Sequence, residues 1–294
     1  VAGRFAPSPT SELHVGNLRT ALLAWLFART SGRDFLVRIE DLDQARVAAA
    51  AGVAERQLAD LAALGIDHDG EVVRQSERLP LYAAALERLE VYECYCSRRE
   101  IAESAQAPHG DSDRPYPGIC RDLTEAERAA KRAVRPAALR VRAGGATWTV
   151  TDELYGLVTR EVDDFVLRRG DGTYAYNLAV VVDDGDQGVD QVVRGDDLLS
   201  SAPRQAWLAD QLGITPPTYA HVPLAVGPDG RRLAKRDGAV TMTDLAALGV
   251  TPAEVLAKLA ASLGLAEVDE TVTLDSLLDR FDPATLPRDP WVVT

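Results

Sequence analysis

The stretch Gly3-Arg4-Phe5-Ala6-Pro7-Ser8-Pro9-Thr10-Ser11-Glu12-Leu13-His14-Val15-Gly16-Asn17-Leu18 decides how the rest of the chain is read. Gly3–Ala6 is short and largely apolar, and the Pro7–Ser11 run then breaks any regular pattern. From Leu18 to Ala28 apolar residues recur at helical spacing, which predicts a helix that begins near His14–Asn17 and ends around Ser31-Gly32. Phe35–Ile39 reads as a buried strand, followed by the acidic turn Glu40-Asp41-Leu42-Asp43. Strand, loop, helix, strand is the opening of a doubly wound α/β fold with a parallel sheet, built to hold a nucleotide.

Working outward, Val53–Leu64 and Leu81–Tyr92 read as further helices, and residues 94–120 as irregular. Leu139–Val141, Thr147–Val150 and Glu161–Leu167 favour strands, and Leu178–Val182 and Gln191–Val193 read as buried strands that return to the sheet. Ala202–Leu212 and Pro252–Leu263 are helical in pattern, and no internal repeat occurs. With 294 residues, 46% of them hydrophobic, the chain is expected to form one large domain and a smaller one.

Charge and cysteine usage exclude some classes. A formal charge of −13 argues against a general nucleic-acid coat, because phosphates repel an acidic surface. One basic run, Arg121, Arg128, Lys131, Arg132, Arg135, Arg140 and Arg142, offers a local patch for one RNA end; from composition alone it is a solvated helix face. No apolar run is long enough to cross a bilayer, and residues 1–30 lack the order of a signal peptide. The three cysteines cluster at Cys94, Cys96 and Cys120, which fits a reducing compartment and a metal site better than a disulfide framework. A cytoplasmic protein is expected.

Three constellations carry chemistry. A helix beginning at His14 presents unpaired N–H groups and a positive dipole end to phosphate. Gly16 lets backbone approach a nucleotide closely, and His14 can donate to charge developing on an α-phosphate; the plainer role for a lone histidine there is helix capping. Gly230-Arg231-Arg232-Leu233-Ala234-Lys235-Arg236-Asp237 is a basic loop whose cations suit a triphosphate and departing pyrophosphate. Cys94-Tyr95-Cys96 with Cys120 supplies three thiolates for a closed tetrahedral Zn²⁺ site that lacks one ligand, for which general chemistry nominates His109.

These runs resemble the class I aminoacyl-tRNA synthetases, and specifically their glutamyl branch, which opens with an Arg-Phe-Ala-Pro-Ser-Pro-Thr-like sequence. The resemblance implies that His14, Gly16 and Asn17 stand beneath ATP, Asn17 replacing the second histidine of the wider class. Arg232-Leu233-Ala234-Lys235-Arg236 resembles the mobile Lys-Met-Ser-Lys-Ser loop, which would make Arg232 and Lys235 ATP-binding, with His14 and Lys235 catalytic; Ala234 removes a hydroxyl from that pattern. Residue by residue, Arg4 and Arg194 match the family's carboxylate-binding arginines, Glu40 its partner for the α-ammonium, and Tyr176 and Ser8 the rest of the glutamate pocket. For Arg4 and Glu40 the alternative is a structural salt bridge between adjacent strands.

Within that branch the chain is most similar to a shortened group that glutamylates queuosine in tRNA(Asp). Tyr176-Asn177-Leu178-Ala179-Val180-Val181-Val182-Asp183-Asp184 looks like that group. So does Tyr116-Pro117-Gly118-Ile119-Cys120, which implies zinc ligands Cys94, Cys96, Tyr116 and Cys120, with His109 as runner-up. The implied architecture is a class I Rossmann-type doubly wound sheet with an inserted, zinc-containing acceptor-binding subdomain and a short C-terminal helical region. Its expected bounds are 1–93 and 161–236 for the two halves of the nucleotide fold, 94–160 for the insert, and 237–294 for a helical stem without an anticodon-binding domain. The implied activity is ATP-dependent formation of glutamyl-adenylate, with Mg²⁺ on the ATP, followed by transfer to queuosine in the anticodon loop of tRNA(Asp). A monomer is expected. Two alternatives stand beside this: a catalytic fragment of a glutamyl-tRNA synthetase charging tRNA(Glu), and a non-enzymatic paralogue that binds glutamate or nucleotide.

Overall fold

The computed structural model describes residues 1–97, 99–101, 115–231, 233 and 240–293. Helix α1 (Val15–Thr30) carries buried side chains on every face, among them Leu18, Leu22, Leu23, Leu26 and Phe27. It therefore lies inside the protein. It links β1 (Ala2–Phe5) to β2 (Asp34–Ile39), which pair in parallel with Arg4 beside Leu36. Gly3 permits this contact between helix and strand, since a Cβ there would stand 3.0 Å from the Cβ of Ala28.

A seven-stranded sheet grows from this unit. β3 (Val73–Arg74), β6 (Thr147–Asp152), β7 (Gly156–Glu161), β9 (Val189–Gly195) and β10 (Thr218–Val222) complete it in the order β3-β2-β1-β9-β10-β6-β7. Each neighbouring pair is parallel except the β6–β7 hairpin. The order leaves β1 in opposite directions toward β2 and β9, the kind of switch point outside which α/β sheets bind ligands. β4 (Val91–Cys94), β5 (Ala138–Val141) and β8 (Val166–Arg168) form a separate antiparallel sheet.

Helices α2 (Gln44–Ala48), α3 (Val53–Ala63), α4 (Leu79–Glu87), α5 (Glu125–Arg132), α6 (Tyr176–Asp186) and α7 (Ala202–Gln211) connect these strands. After β11 (Ala225–Val226), the chain forms α8 (Met242–Ala247), α9 (Pro252–Ser262), α10 (Leu274–Arg280) and β12 (Trp291–Val292), which pairs with β11. Leu256, Leu259 and Leu277 of the C-terminal helices share one core with Leu22 and Phe27 of α1. No helix among the described residues is long and apolar enough to cross a membrane.

Four readings of local sequence are corrected. Leu178–Val182 is helical, inside α6, and not a strand; an apolar run this short has no period to separate the two. The expected helix over Leu81–Tyr92 stops at Glu87, and Val91 and Tyr92 enter β4. Glu161–Leu167 is no single strand: Glu161 ends β7 and Val166 begins β8. The β6–β7 hairpin pairs with the main sheet, although the expected bounds of the insert enclosed it.

Candidate active site

A cleft of roughly 640 Å³ opens beside the β1–α1 loop, within the size range of small-molecule sites. Ser8, His14, Gly16, Asn17, Glu40 and Tyr176 all line it. Gln57 of α3 fixes its loop wall by donating to the carbonyls of Ser8 and Ser11, at 3.0 and 2.8 Å.

The tip of α1 is closed by two residues acting on each other. The Asn17 N–H donates to Nδ1 of His14 at 3.2 Å, and the His14 N–H donates to Oδ1 of Asn17 at 3.2 Å. His14 thus does cap the helix, and the same bond settles its tautomer: with Nδ1 accepting, a neutral ring carries its proton on Nε2. Asn17 has a structural reason to replace histidine, because its short amide reaches back to complete this capping box. Gly16 is required sterically. A Cβ there would meet the Ala225 Cβ at 2.9 Å and the His14 ring at 3.0 Å.

The cations are less alike than the sequence suggests. Arg4 is buried and donates through Nε and Nη2 to Asp184, at 3.2 and 3.5 Å. Arg38, fully buried, lies against Asp184 at 2.9 Å, Glu40 at 3.3 Å and Asp183 at 3.6 Å. Asp183 also accepts from Arg78, Gln75 and Tyr82. Three acidic side chains near the C-terminal end of a helix or strand would repel; here the arginines offset that repulsion and α6's own dipole. Burial pushes the Asp184 carboxyl up, yet Arg4 and Arg38 outweigh it and hold the group below the usual range. For Glu40 burial wins against Arg38 and Arg4, and its pKa is raised. The Arg4–Glu40 bridge considered from sequence is thus replaced, among the described residues, by Arg4–Asp184 and Arg38–Glu40 pairs, and Arg4 does not line the cleft.

Arg194, at the end of β9, contrasts with this. Its Nη1 donates to Tyr176 Oη at 3.3 Å and Gln205 Oε1 at 2.7 Å, and its Nε to His221 at 3.0 Å. No carboxylate among the described residues pairs with it. Through Tyr176 it reaches the cleft wall.

At the pocket wall, the antiparallel bridge His14–Thr241 and the bond from Val15 N–H to the Val240 carbonyl, at 2.8 Å, tie the helix tip to the chain that follows the basic loop. Leu233, Val240 and Thr241 line the cleft. Arg232, Ala234 and Lys235 lie outside the described residues, as does His109.

The cysteine cluster is assembled. The sulfurs of Cys94, Cys96 and Cys120 lie within 4.8 Å of one another, with Cys96 and Cys120 at 3.5 Å. Tyr116 Oη stands 3.4 Å from Cys94 Sγ and 3.6 Å from Cys96 Sγ. Tetrahedral zinc with ~2.3 Å bonds to sulfur separates its ligand atoms by about 3.5–3.8 Å, so this donor set fits the ion. Burial, offset only in part by Tyr116, pushes the Cys96 thiol up to about 12, with Cys94 and Cys120 adding to the rise. Without a cation the Cys96 thiol keeps its proton, and a metal ion bound among the three sulfurs would favour their ionised forms.

The arginines of the basic run are engaged by neighbouring groups. Arg121, Arg128, Arg132, Arg135 and Arg142 pair with Asp164, Glu125, Glu93, Glu100 and Asp122, and Arg140 lies over the Tyr116 ring at 3.7 Å.

The glycine-bearing helix tip forms one wall of the cleft, and Tyr176, the hydrogen-bond partner of Arg194, also lines it. Residues 1–293 match the family described as tRNA synthetases class I (E and Q), catalytic domain. The chain belongs to this family. Its relatives include a Glutamyl-Q tRNA(Asp) synthetase of Nocardia farcinica, 59% identical over 298 residues, covering 100% of this chain and 93% of the relative. Another, from Deinococcus radiodurans, is 50% identical, covering 95% of each. Among solved structures, a glutamate tRNA ligase from Elizabethkingia meningosepticum in complex with its amino acid superposes with a TM-score of 0.83 at 27% identity, covering 100% of this chain and 67% of that one. The synthetase fold, with its mostly parallel sheet, is thereby established for this chain.

Sequence reasoning missed several residues of this synthetase cleft. Gly195 and Asp197 line it, and a Cβ on Gly195 would stand 2.7 Å from both Asp197 Oδ1 and Leu224 Cδ2. The Arg-Gly-Asp-Asp run at the end of β9 was the available signal. Gln57 had none, being one polar residue within a helical pattern.

Proposed function

We propose that this synthetase activates glutamate with ATP and transfers it to queuosine in the anticodon loop of tRNA(Asp). The observation that carries the proposal is the cleft lined by both the His14–Asn17 helix tip and the pair Glu40 and Tyr176, with Arg194 just behind its wall, bonded to Tyr176. The α-phosphate belongs at the helix tip, where backbone N–H groups and His14 stabilise the charge of an in-line displacement. Glu40 takes the α-ammonium, Arg194 and Tyr176 the side-chain carboxylate, and Ser8 the adjoining wall. Arg4 acts from behind, through Asp184 and its charge on Glu40. Gly16 and Asn17 bind ATP with Arg232 and Lys235, whose roles rest on the sequence motif. Mg²⁺ accompanies ATP and neutralises its phosphates.

The similarity to relatives named Glutamyl-Q tRNA(Asp) synthetase supports queuosine as the acceptor. Cys94, Cys96, Tyr116 and Cys120 would hold a structural Zn²⁺ in the inserted subdomain, with the four ligands leaving no open position for catalysis. A monomer in the cytoplasm, divided as 1–93, 94–160, 161–236 and 237–294 apart from the hairpin, completes the reading.

The test is glutamate-dependent ATP–pyrophosphate exchange without RNA, followed by transfer of labelled glutamate to tRNA(Asp) with and without queuosine. Exchange and queuosine-dependent transfer are expected. Equal labelling of tRNA(Glu) would point to a glutamyl-tRNA synthetase instead, and no exchange in any condition would leave only a binding protein.

A further inference from the structure

Arg194 owes its position to a chain of contacts that no substrate touches. β9 and β10 pair in parallel with His221 beside Arg194, so the imidazole meets the guanidinium Nε, at 3.0 Å. His221 is 0% exposed. Its Nδ1 lies 2.6 Å from Asp152 Oδ2. Asp152, also buried, is itself fixed by backbone: Leu154 and Tyr155 N–H groups donate to Oδ1 at 2.9 Å each, and the His221 N–H to Oδ2 at 3.0 Å.

Protonation follows from donor and acceptor chemistry. Arginine Nε can only donate, so His221 Nε2 must present its lone pair, and the single ring proton sits on Nδ1, pointing at Asp152. A second proton would remove the acceptor and set two cations together. The remaining partners of Arg194 are also neutral: Gln205 and Tyr176 at Nη1, and the Leu198 carbonyl at Nη2, 3.4 Å away. Gln205 is turned the right way by donating its Nε2 to Asn177, at 2.9 Å. The charged and titratable groups facing His221 are Asp152 on β6, Arg194 and Asp196 at the end of β9, and the stacked ring of Tyr219.

We infer that Asp152 and His221 are positioning residues for glutamate: Asp152 fixes the tautomer of His221, and His221 aims Arg194 at the cleft while leaving its charge unneutralised. A carboxylate in place of His221 would hold the guanidinium equally well but cancel the charge the substrate needs. Arg4, held by Asp184, shows that outcome in the same protein. The inference rests on the reading of Arg194 as the cation that meets the substrate's side-chain carboxylate.

The experiment is ATP–pyrophosphate exchange by the full chain and by His221→Leu and His221→Gln. Leucine removes the acceptor, whereas glutamine keeps an amide oxygen near the place of Nε2. His221→Leu is expected to raise the KM for glutamate about tenfold, as for one charge-assisted hydrogen bond lost. The KM for ATP should stay within about twofold, and His221→Gln should recover most of the loss. Equal rises in both KM values, an unchanged KM for glutamate, or glutamine performing no better than leucine would overturn the inference. Should His221→Leu fail to fold, nitrogen-15 NMR of the unaltered protein decides. A proton on Nδ1 of His221 supports the inference, and one on Nε2 ends it. Absence of exchange by the unaltered protein would count against the proposed function alone, since the NMR readout needs no turnover.

Discussion

Arg4 donates to the carboxylate of Asp184 at 3.2 Å, across 180 residues of sequence and between β1 and α6. The pair is buried, and Asp184 is shared with Arg38 at 2.9 Å. It therefore knits the first strand of the nucleotide fold to the helix whose other end carries Tyr176 into the cleft. Removing one member of such a pair leaves an uncompensated charge in a place water cannot reach.

Asp184→Asn is accordingly expected to destabilise the fold by about 3 kcal/mol, the range for a broken buried ion pair. Urea unfolding would measure it. A loss below about 1 kcal/mol, the worth of an exposed pair, would mean that Arg38 alone carries the network.

The helix tip makes a different demand, because His14 both caps α1 and lines the cleft. His14→Ala should cost about 1 kcal/mol as a lost cap and also lower kcat by about 10²-fold as a lost phosphate donor. Asn17→Ala should show a similar stability loss, with the smaller effect on kcat. If the two variants lowered kcat equally, His14 would act only through the cap.

The first unit of the fold was legible because β1 and β2 are short apolar runs, α1 has helical spacing, and a proline-bounded loop separates β1 from α1. The same stretch contains Ser8, His14, Gly16 and Asn17, so one wall of the cleft came with it. The opposite wall was harder. Leu178–Val182 is apolar at every position, and only its packing between the sheet and α7 makes it helix. The partner of Arg4 lies too far along the chain for any motif to name it. Asp152 and His221 are single polar residues in strands, and their meaning appears only once β6, β9 and β10 are side by side. The cysteine cluster was readable from spacing, since Cys94 and Cys96 stand at the end of one strand, where the Tyr116–Cys120 turn closes over them.

That cluster leads to a prediction about metal. Freshly purified protein should contain about one zinc per chain, as a four-ligand closed site requires. Cys120→Ser or a strong chelator should abolish transfer to RNA while glutamate-dependent pyrophosphate exchange persists, because Cys94 ends a strand of the separate three-stranded sheet and none of the four residues lines the cleft. Protein free of zinc with full transfer activity would remove the site from the account.

Glu40 offers a test in which stability and activity move oppositely. Burial raises its pKa above the ordinary value, against the pull of Arg38 and Arg4. For a carboxyl raised on folding, the ionised form is the disfavoured one, so its cost is present above the folded pKa and disappears as pH falls through it. Glu40→Gln should therefore stabilise the protein by about 1 kcal/mol at neutral pH, with the difference vanishing on acidification. The same change removes the anion proposed to meet the substrate's ammonium, so the KM for glutamate should rise by about 10²-fold. In the unaltered enzyme that KM should also climb as acid protonates Glu40. Thermal melts and exchange kinetics across pH 5–8 read both effects. A Glu40→Gln variant less stable than its parent at pH 7, or one with an unaltered KM, would show that Glu40 serves Arg38 and not the substrate.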